Sequence, residues 1–156
     1  LTPELFKDIA SHWLTGVAVV TAVDADGGPH GMTMSAVTSL SLDPPQFLVC
    51  MDQHAGTLAA IRETRAFCIH FLSATQQHLS VHFARPSADR FSGIAYRPGE
   101  TGSPILEDVI ALVECKLAEI HSGGDHAIVI GNALYGSVTG GRPLGYFHGG
   151  YHRIGG

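Results

Sequence analysis

Residues 31–45, GMTMSAVTSLSLDPP, constrain this chain more than any other stretch. Thr33, Ser35, Thr38 and Ser39 put four hydroxyls behind Gly31, and Ser41 adds a fifth. They alternate loosely with Met32, Met34, Val37, Leu40 and Leu42 until Pro44 and Pro45 stop the run. A strand that only fills a core carries branched apolar side chains instead. Small residues and hydroxyls on an extended backbone suit a flat, polar-edged ligand lying close to the main chain. An edge strand with a solvated Ser/Thr face fits the same pattern, and the pattern leaves both readings open.

The flanking sequence supplies strands and a few short helices. Thr2 and Pro3 are an N-cap and a first helical residue, and Leu5, Phe6, Ile9, Ala10, Trp13 and Leu14 follow at helical spacing, so a helix is expected over 3–14. Residues 17–23, VAVVTAV, read as a strand buried on both faces. After a turn at 24–29, residues 31–42 are expected to pair back on it as the second arm of a hairpin. Residues 46–51 and 66–72 read as the third and fourth strands, with a short helix over 57–64 between them. Ser73 and Gln76 form a capping box that opens a helix ended by Pro86. A loop-rich region at 84–102 is long enough to suggest a functional role. Residues 110–120 and 127–138 are two long strands, with a bulge expected at Gly131-Asn132. Residues 144–151 read as one last short strand. The sum is a mainly β chain with short helices, an antiparallel barrel closed or nearly so.

At 156 residues, one domain over 1–156 is expected. Apolar residues make up 45% and charged residues only 15%, which points to surface buried against a partner subunit. A net charge of −5 with no basic cluster argues against nucleic acid. No apolar run approaches the ~20 residues of a membrane span and no signal peptide is visible, so a cytoplasmic location without membrane attachment is expected. Cys50, Cys68 and Cys115 read as free thiols in a reducing compartment. Ten histidines raise a metal question, but neither His78/His82 nor His148/His152 sits in an HExxH arrangement and no Cys lies at ligand spacing, so no metal is expected.

Six separated stretches carry a family resemblance. They are LTGVAVVTA (14–22), GMTMSAVTSLSLDPPQFLVC (31–50), LSVHFA with DRFSG (79–84, 89–93), EC (114–115), GDHAIVIG (124–131) and PLGYFHGGYHR (143–153). In this order they resemble the flavin reductase family, the small NAD(P)H:flavin oxidoreductases that serve two-component flavin monooxygenases. The resemblance implies a Greek-key-like split β-barrel that binds flavin, usually as a homodimer. It implies FMN or FAD, with NADH ahead of NADPH, and hydride transfer from nicotinamide C4 to flavin N5. Reduced flavin then leaves for a separate flavin-dependent monooxygenase. The chain departs from the family at Ala36, where a second serine is common, and at Ala55, where a serine precedes the matching Thr57.

The resemblance also assigns residues. Met32, Thr33, Met34, Ser35, Ala36 and Ser39 would hold the ring edge and ribityl chain, and Cys50, Met51 and Asp52 would pass the flavin. Thr57, Phe83, Ala84 and Arg85 would approach its tail, with Arg85 at the phosphate. Asp89 and Arg90 would fix the covering loop. His126 of the GDH element is the residue assigned to the reaction, by positioning the nicotinamide or steadying the reduced flavin. Tyr146, His148, Gly149 and Tyr151 would lie on the dinucleotide side. Hydride transfer needs close positioning more than acid–base groups, and no triad or carboxylate pair is visible. With no GxGxxG, the pyridine nucleotide would fold against the flavin. Two other readings share the pattern: a pyridoxamine-phosphate-oxidase-like oxidase, for which nine scattered Lys/Arg offer no clear basic pocket, and a non-catalytic flavin- or haem-binding module.

Overall fold

The computed structural model describes residues 1–87 and 89–155; Ala88, inside the expected 84–102 loop, and Gly156 lie outside the described residues. Helix α1 (Pro3–Ser11) starts as expected, with the Thr2 hydroxyl accepting from Leu5 N–H at 3.2 Å. It stops before Trp13 and Leu14, where the Ser11 hydroxyl donates back to Asp8 O at 2.7 Å. Strands β1 (Thr15–Gly16), β2 (Ala18–Val23), β3 (Pro29–Met34), β4 (Val37–Leu42) and β5 (Pro45–Asp52) follow. Then come α2 (Gly56–Thr64), β6 (Ala66–Phe71), α3 (Gln77–Ala84), β7 (Tyr96–Pro98) and β8 (Pro104–Leu106). Two long strands, β9 (Ala111–Gly123) and β10 (His126–Val138), precede the short pair β11 (Leu144–Phe147) and β12 (Gly150–Arg153). Among the described residues no helix is long and apolar enough to cross a membrane.

Seven strands form one antiparallel sheet in the order β3-β2-β6-β9-β10-β5-β4. Its two edge strands, β3 and β4, are consecutive in sequence and joined only by Ser35-Ala36. Three Cα steps of 3.8 Å separate Met34 from Val37, so the two edges approach within about 11 Å there. The sheet must therefore curl into a barrel that stays open at one seam. The expectation that residues 31–42 form a single arm on β2 is thus corrected. Pairing with β2 ends at Ala18↔Met34, and residues 37–42 cross the seam to pair with β5 from Val37↔Val49.

Strand β2 is walled in on both sides, as its apolar run predicts. Ala18, Val20 and Ala22 face the barrel interior with Val49, Met51, Phe67, Ile69 and Val129, under the Leu58–Ile61 face of α2. Val17 and Val19 face the other way, onto Phe83 of α3, Leu106 and Leu144. The bulge at Gly131 has a packing reason: a Cβ there would lie 2.7 Å from Cys115 Cβ and would meet the Phe67 ring. Cys115 pairs with Phe67 and Cys68 with Glu114, so the two thiols point to opposite faces of the sheet. Burial pushes the Cys115 thiol up to about 12 and the Cys68 thiol higher still, which leaves both inert.

Two local expectations are corrected. Gln76 Oε1 does accept from Ser73 N–H at 3.0 Å, but the Ser73 hydroxyl turns to Thr75 and α3 begins only at Gln77. Residues 144–151 do not form one strand; His148 and Gly149 take φ of 47° and 77° and fold the segment into the β11–β12 hairpin.

Candidate functional site

Strand β3 connects two cavities. Its C-terminal end, Thr33 to Ser35, opens into a cavity of about 200 Å³ that Ala84, Tyr146 and Tyr151 also line. Thr33 Oγ1 donates to Ser80 O at 2.7 Å, and the Ser80 and Tyr151 hydroxyls bond each other at 2.8 Å. Tyr146 meets Tyr151 edge-on at 5.3 Å. Ser35 also borders a neighbouring hollow with Trp13, Thr15, Val37 and Thr38, where Thr15 Oγ1 is buried without a partner.

The N-terminal end of β3 opens into a second cavity, of about 210 Å³, lined by His30, Gly31, Gly56, Thr57, Ser87 and Arg90. Gly31 is required where it stands: a Cβ would come within 2.8 Å of the Phe83 ring. Helix α2 starts here, and Ala55 at its N-cap offers no side-chain bond, so the N–H groups of its first turn face outward without intrahelical partners. Arg90 Nη1 donates to Gly31 O at 2.6 Å, while its Nε is buried with no partner. Among the described residues, no carboxylate lines either cavity.

Thr33, Met34, Ser35, Ala84, Tyr146 and Tyr151 therefore meet in the first cavity, and Thr57 stands in the second. Arg85 lies instead on the outer face of α3 with His78 and His82, and it is Arg90 that shares the cavity with Thr57. Met51 and Phe83 are fully buried, and their side chains pack in the core. Met32 packs partly against the same core. Across the seam, Ala36 O accepts from Cys50 N–H at 3.0 Å, and Ser39 is exposed on β4. Asp52 accepts from His54 N–H at 2.7 Å and shapes the loop into α2.

His126 opens β10 opposite Asp52 and lines neither cavity. Cys50 pairs with Ile128, so His126 sits two residues along and one strand over, about 8 Å from Cys50. Its Nδ1 lies 2.7 Å from Asp125 Oδ1, and that hydrogen bond holds the Asp125 carboxyl below the usual carboxylate range. Gln53 Nε2 donates to His126 O at 3.0 Å and ties the residue to the β5–α2 loop.

His148 turns away from both cavities. Its N–H donates to Ser11 O at 2.8 Å, and its Nδ1 lies 3.1 Å from Ser11 Oγ. With Asp8 and His12 it brings three possible metal donors within 4.8 Å, all exposed, where the hairpin clasps α1. Gly149 completes that turn at its exposed tip. Ser80, Ser87 and His30 are among the lining residues that sequence reasoning missed. Ser80 and Ser87 read as ordinary helix and loop serines, and His30 had no partner in sequence to mark it.

Comparison with known proteins shows the family to which the chain belongs. A family model for the flavin reductase like domain matches residues 10–155. The chain is 42% identical over 149 residues to a probable flavin reductase of Rhizobium meliloti, covering 96% of this chain and 48% of that protein, so it spans about half of that relative's length. It is 40% identical over 144 residues to the reductase component of a 4-nitrophenol 4-monooxygenase/4-nitrocatechol 2-monooxygenase of Rhodococcus opacus, covering 92% of this chain and 77% of that one. Among solved structures it superposes with a TM-score of 0.92 on the NADH:FAD oxidoreductase SgcE6 of Streptomyces globisporus, in complex with NAD and FAD fragments. The two are 28% identical, and the match covers 99% of this chain and 96% of the other.

Proposed function

Because the chain belongs to the flavin reductase-like family, we propose that it is an NAD(P)H-dependent flavin reductase that hands reduced flavin to a separate flavin-dependent monooxygenase. The observation that carries this reading is the pair of carboxylate-free cavities at the two ends of β3. Pro29 to Ser35 spans about 20 Å of extended backbone, a rail for an elongated ligand with a flat head and a charged tail. The residues fit such a group. At the tail end, the Arg90 Nε is a buried donor without a partner, beside Thr57 on the cavity wall, and an unpartnered buried donor calls for an acceptor.

Bound flavin supplies an N5 that accepts hydride from the nicotinamide. Everything else falls to the chain. Thr33, Ser35 and the backbone of Ala36 and Cys50 bind the ring edge from both sides of the seam, and their N–H and O–H groups favour negative charge near the ring. Arg90 takes the phosphate role at the tail, alongside Thr57 and the first turn of α2. Tyr146 and Tyr151 face the nicotinamide side, with Ser80 fixing the Tyr151 hydroxyl. His126, oriented by Asp125, positions the nicotinamide from the β5–β10 side. A ligand cavity for a drug-sized molecule runs to roughly 300–1,000 Å³, so each hollow holds one part of the ligand and not the whole.

NADH is favoured over NADPH by the naming of the SgcE6 relative, and FMN and FAD both fit a tail site that reads phosphate. A homodimer accounts for the exposed apolar surface: α1 buries none of its residues, and Trp13, Leu42 and Val138 are 78%, 95% and 83% exposed.

The decisive assay is NADH oxidation by purified protein with FMN, FAD or riboflavin, comparing wild type with His126→Ala. Turnover with at least one flavin, reduced about tenfold or more in the variant, is expected. Flavin binding without NADH oxidation would leave a non-catalytic flavin carrier.

A further inference from the structure

The cavity at the tail end of β3 holds a histidine that nothing above employs. His30 lines it, half-buried, beside Gly31, Gly56, Thr57 and Arg90. Its Nε2 lies 2.9 Å from Asp24 Oδ2. Asp24 is a fixed acceptor, because its Oδ1 already accepts from Gly28 N–H at 2.7 Å and Asp26 N–H at 3.0 Å. The bond to His30 comes first among the causes that hold the Asp24 carboxyl below the usual carboxylate range. Nε2 is therefore the nitrogen that carries the proton whenever the ring has only one.

The other nitrogen, Nδ1, faces the start of α2. A Cβ built on Gly56 would lie 3.4 Å from it. Around that point stand the first-turn N–H groups of α2, which Ala55 leaves uncapped by any side chain. Thr57 is only 2% exposed, lines the cavity, and makes no side-chain hydrogen bond among the described residues. Ser87 and the Arg90 guanidinium close the far side. These groups are donors, or hydroxyls able to donate, and they converge on a space that a phosphate oxygen fits.

We propose that His30, held through Nε2 by Asp24, recognises the phosphate of the flavin by donating from Nδ1 as an imidazolium, and so makes the protein select FMN and FAD over riboflavin. The proposal rests on the reading that flavin lies along β3. The tautomer dictates the chemistry. Neutral His30 presents a lone pair at Nδ1, which repels a phosphate oxygen. Only the doubly protonated ring donates from Nδ1. Asp24 comes from the β2–β3 turn and Arg90 from the segment after α3. Helix α2 offers only Gly56 and Thr57 to this cavity, while its Glu63 is engaged by Ala25 N–H at 3.0 Å.

The test measures dissociation constants of FMN and riboflavin by flavin fluorescence, without NADH, for wild type, His30→Gln and Asp24→Asn, over about pH 6 to 8.5. In wild type, FMN affinity should fall about tenfold as pH rises while riboflavin affinity stays level, the size of one charge-assisted hydrogen bond. His30→Gln should lose about tenfold for FMN at the acid end, keep its riboflavin affinity, and lose the fall with pH. The second ionisation of the FMN phosphate, near pH 6, works in the opposite direction and would remain in that variant. Asp24→Asn replaces the carboxylate that holds Nε2 and should weaken FMN binding while riboflavin affinity stays level.

Equal losses for FMN and riboflavin in His30→Gln would mark a structural role and overturn the proposal. Unchanged FMN binding in that variant would overturn it too, as would a wild type that binds neither flavin. NADH turnover is measured separately. His30-dependent FMN binding without turnover would sink the reductase reading and keep this proposal, and turnover with no His30 dependence would do the reverse.

Discussion

The wall formed by β2 and β6 and the seam between β3 and β4 are neighbours in one sheet, yet they treat polar groups in opposite ways. In the wall, His70 is fully buried and both its nitrogens are used: Nδ1 donates to Val19 O at 3.1 Å and Nε2 accepts from Leu106 N–H at 3.1 Å. Behind it, the buried Glu114 carboxylate takes the N–H groups of Glu100 and Thr101 and the Thr101 hydroxyl, fixing the turn between β7 and β8. Along the seam, Thr15 Oγ1 and Arg90 Nε are buried with no partner, and the Thr57 hydroxyl, on the wall of the tail-end cavity, makes no hydrogen bond among the described residues. A saturated polar group serves the fold. An unsatisfied one costs stability until something binds it.

Breaking the wall should have the largest effect. His70→Ala removes a packed ring and leaves Val19 O and Leu106 N–H without their partners. We expect a loss of roughly 3–5 kcal/mol, read as a lower urea midpoint with an unchanged slope. A loss below about 1 kcal/mol would mean that water satisfies those groups and the wall is no different from the seam.

The same histidine gives the next effect through pH. Burial lowers the His70 value to about 4 from its ordinary 6.5. Below pH 6.5 the unfolded chain takes up a proton that the folded ring refuses. The stabilisation is therefore complete above about 6.5, is lost as pH falls toward 4, and changes no further below that. The whole window is worth about 3 kcal/mol. Urea midpoints measured across it should slope for wild type and flatten by that amount in a His70→Gln variant that still folds.

The wall was legible in the sequence and the seam only in part. VAVVTAV states that β2 is buried on both faces, because no polar residue marks a wet side. The same logic could not place residues 37–42. Hydrophobic alternation tells which face of a strand is buried but not which strand it pairs with, and the two-residue link Ser35-Ala36 carries no turn signal strong enough to announce a change of partner. Hence the sequence marks the stretch around Thr33 and Ser35, which lines a cavity, but not the change of strand partner beside it. Arg85 and Arg90 show a second limit. Both follow α3, and only the path of the chain past Pro86 decides which guanidinium returns to β3 and bonds Gly31 O. His148 shows a third: beside Gly149 it reads as strand interior, yet a left-handed φ makes it a turn residue.

The finest test of the contrast takes the hydroxyl from the seam instead of the wall. Thr57→Val keeps the branched shape of a side chain that is 2% exposed and deletes a hydroxyl that makes no hydrogen bond among the described residues. In the wall such a change would leave a partner stranded and cost stability. Here it strands nothing, so unfolding should be unchanged within about 0.5 kcal/mol, or slightly favoured. If the hydroxyl waits for the flavin tail, the same variant should bind FMN about five- to tenfold more weakly, the worth of one hydrogen bond to a charged group. The two readouts must separate for the contrast to hold. A variant that lost stability and kept its FMN affinity would place Thr57 with His70, as part of the fold, and would move the phosphate contact to Arg90 and His30 alone.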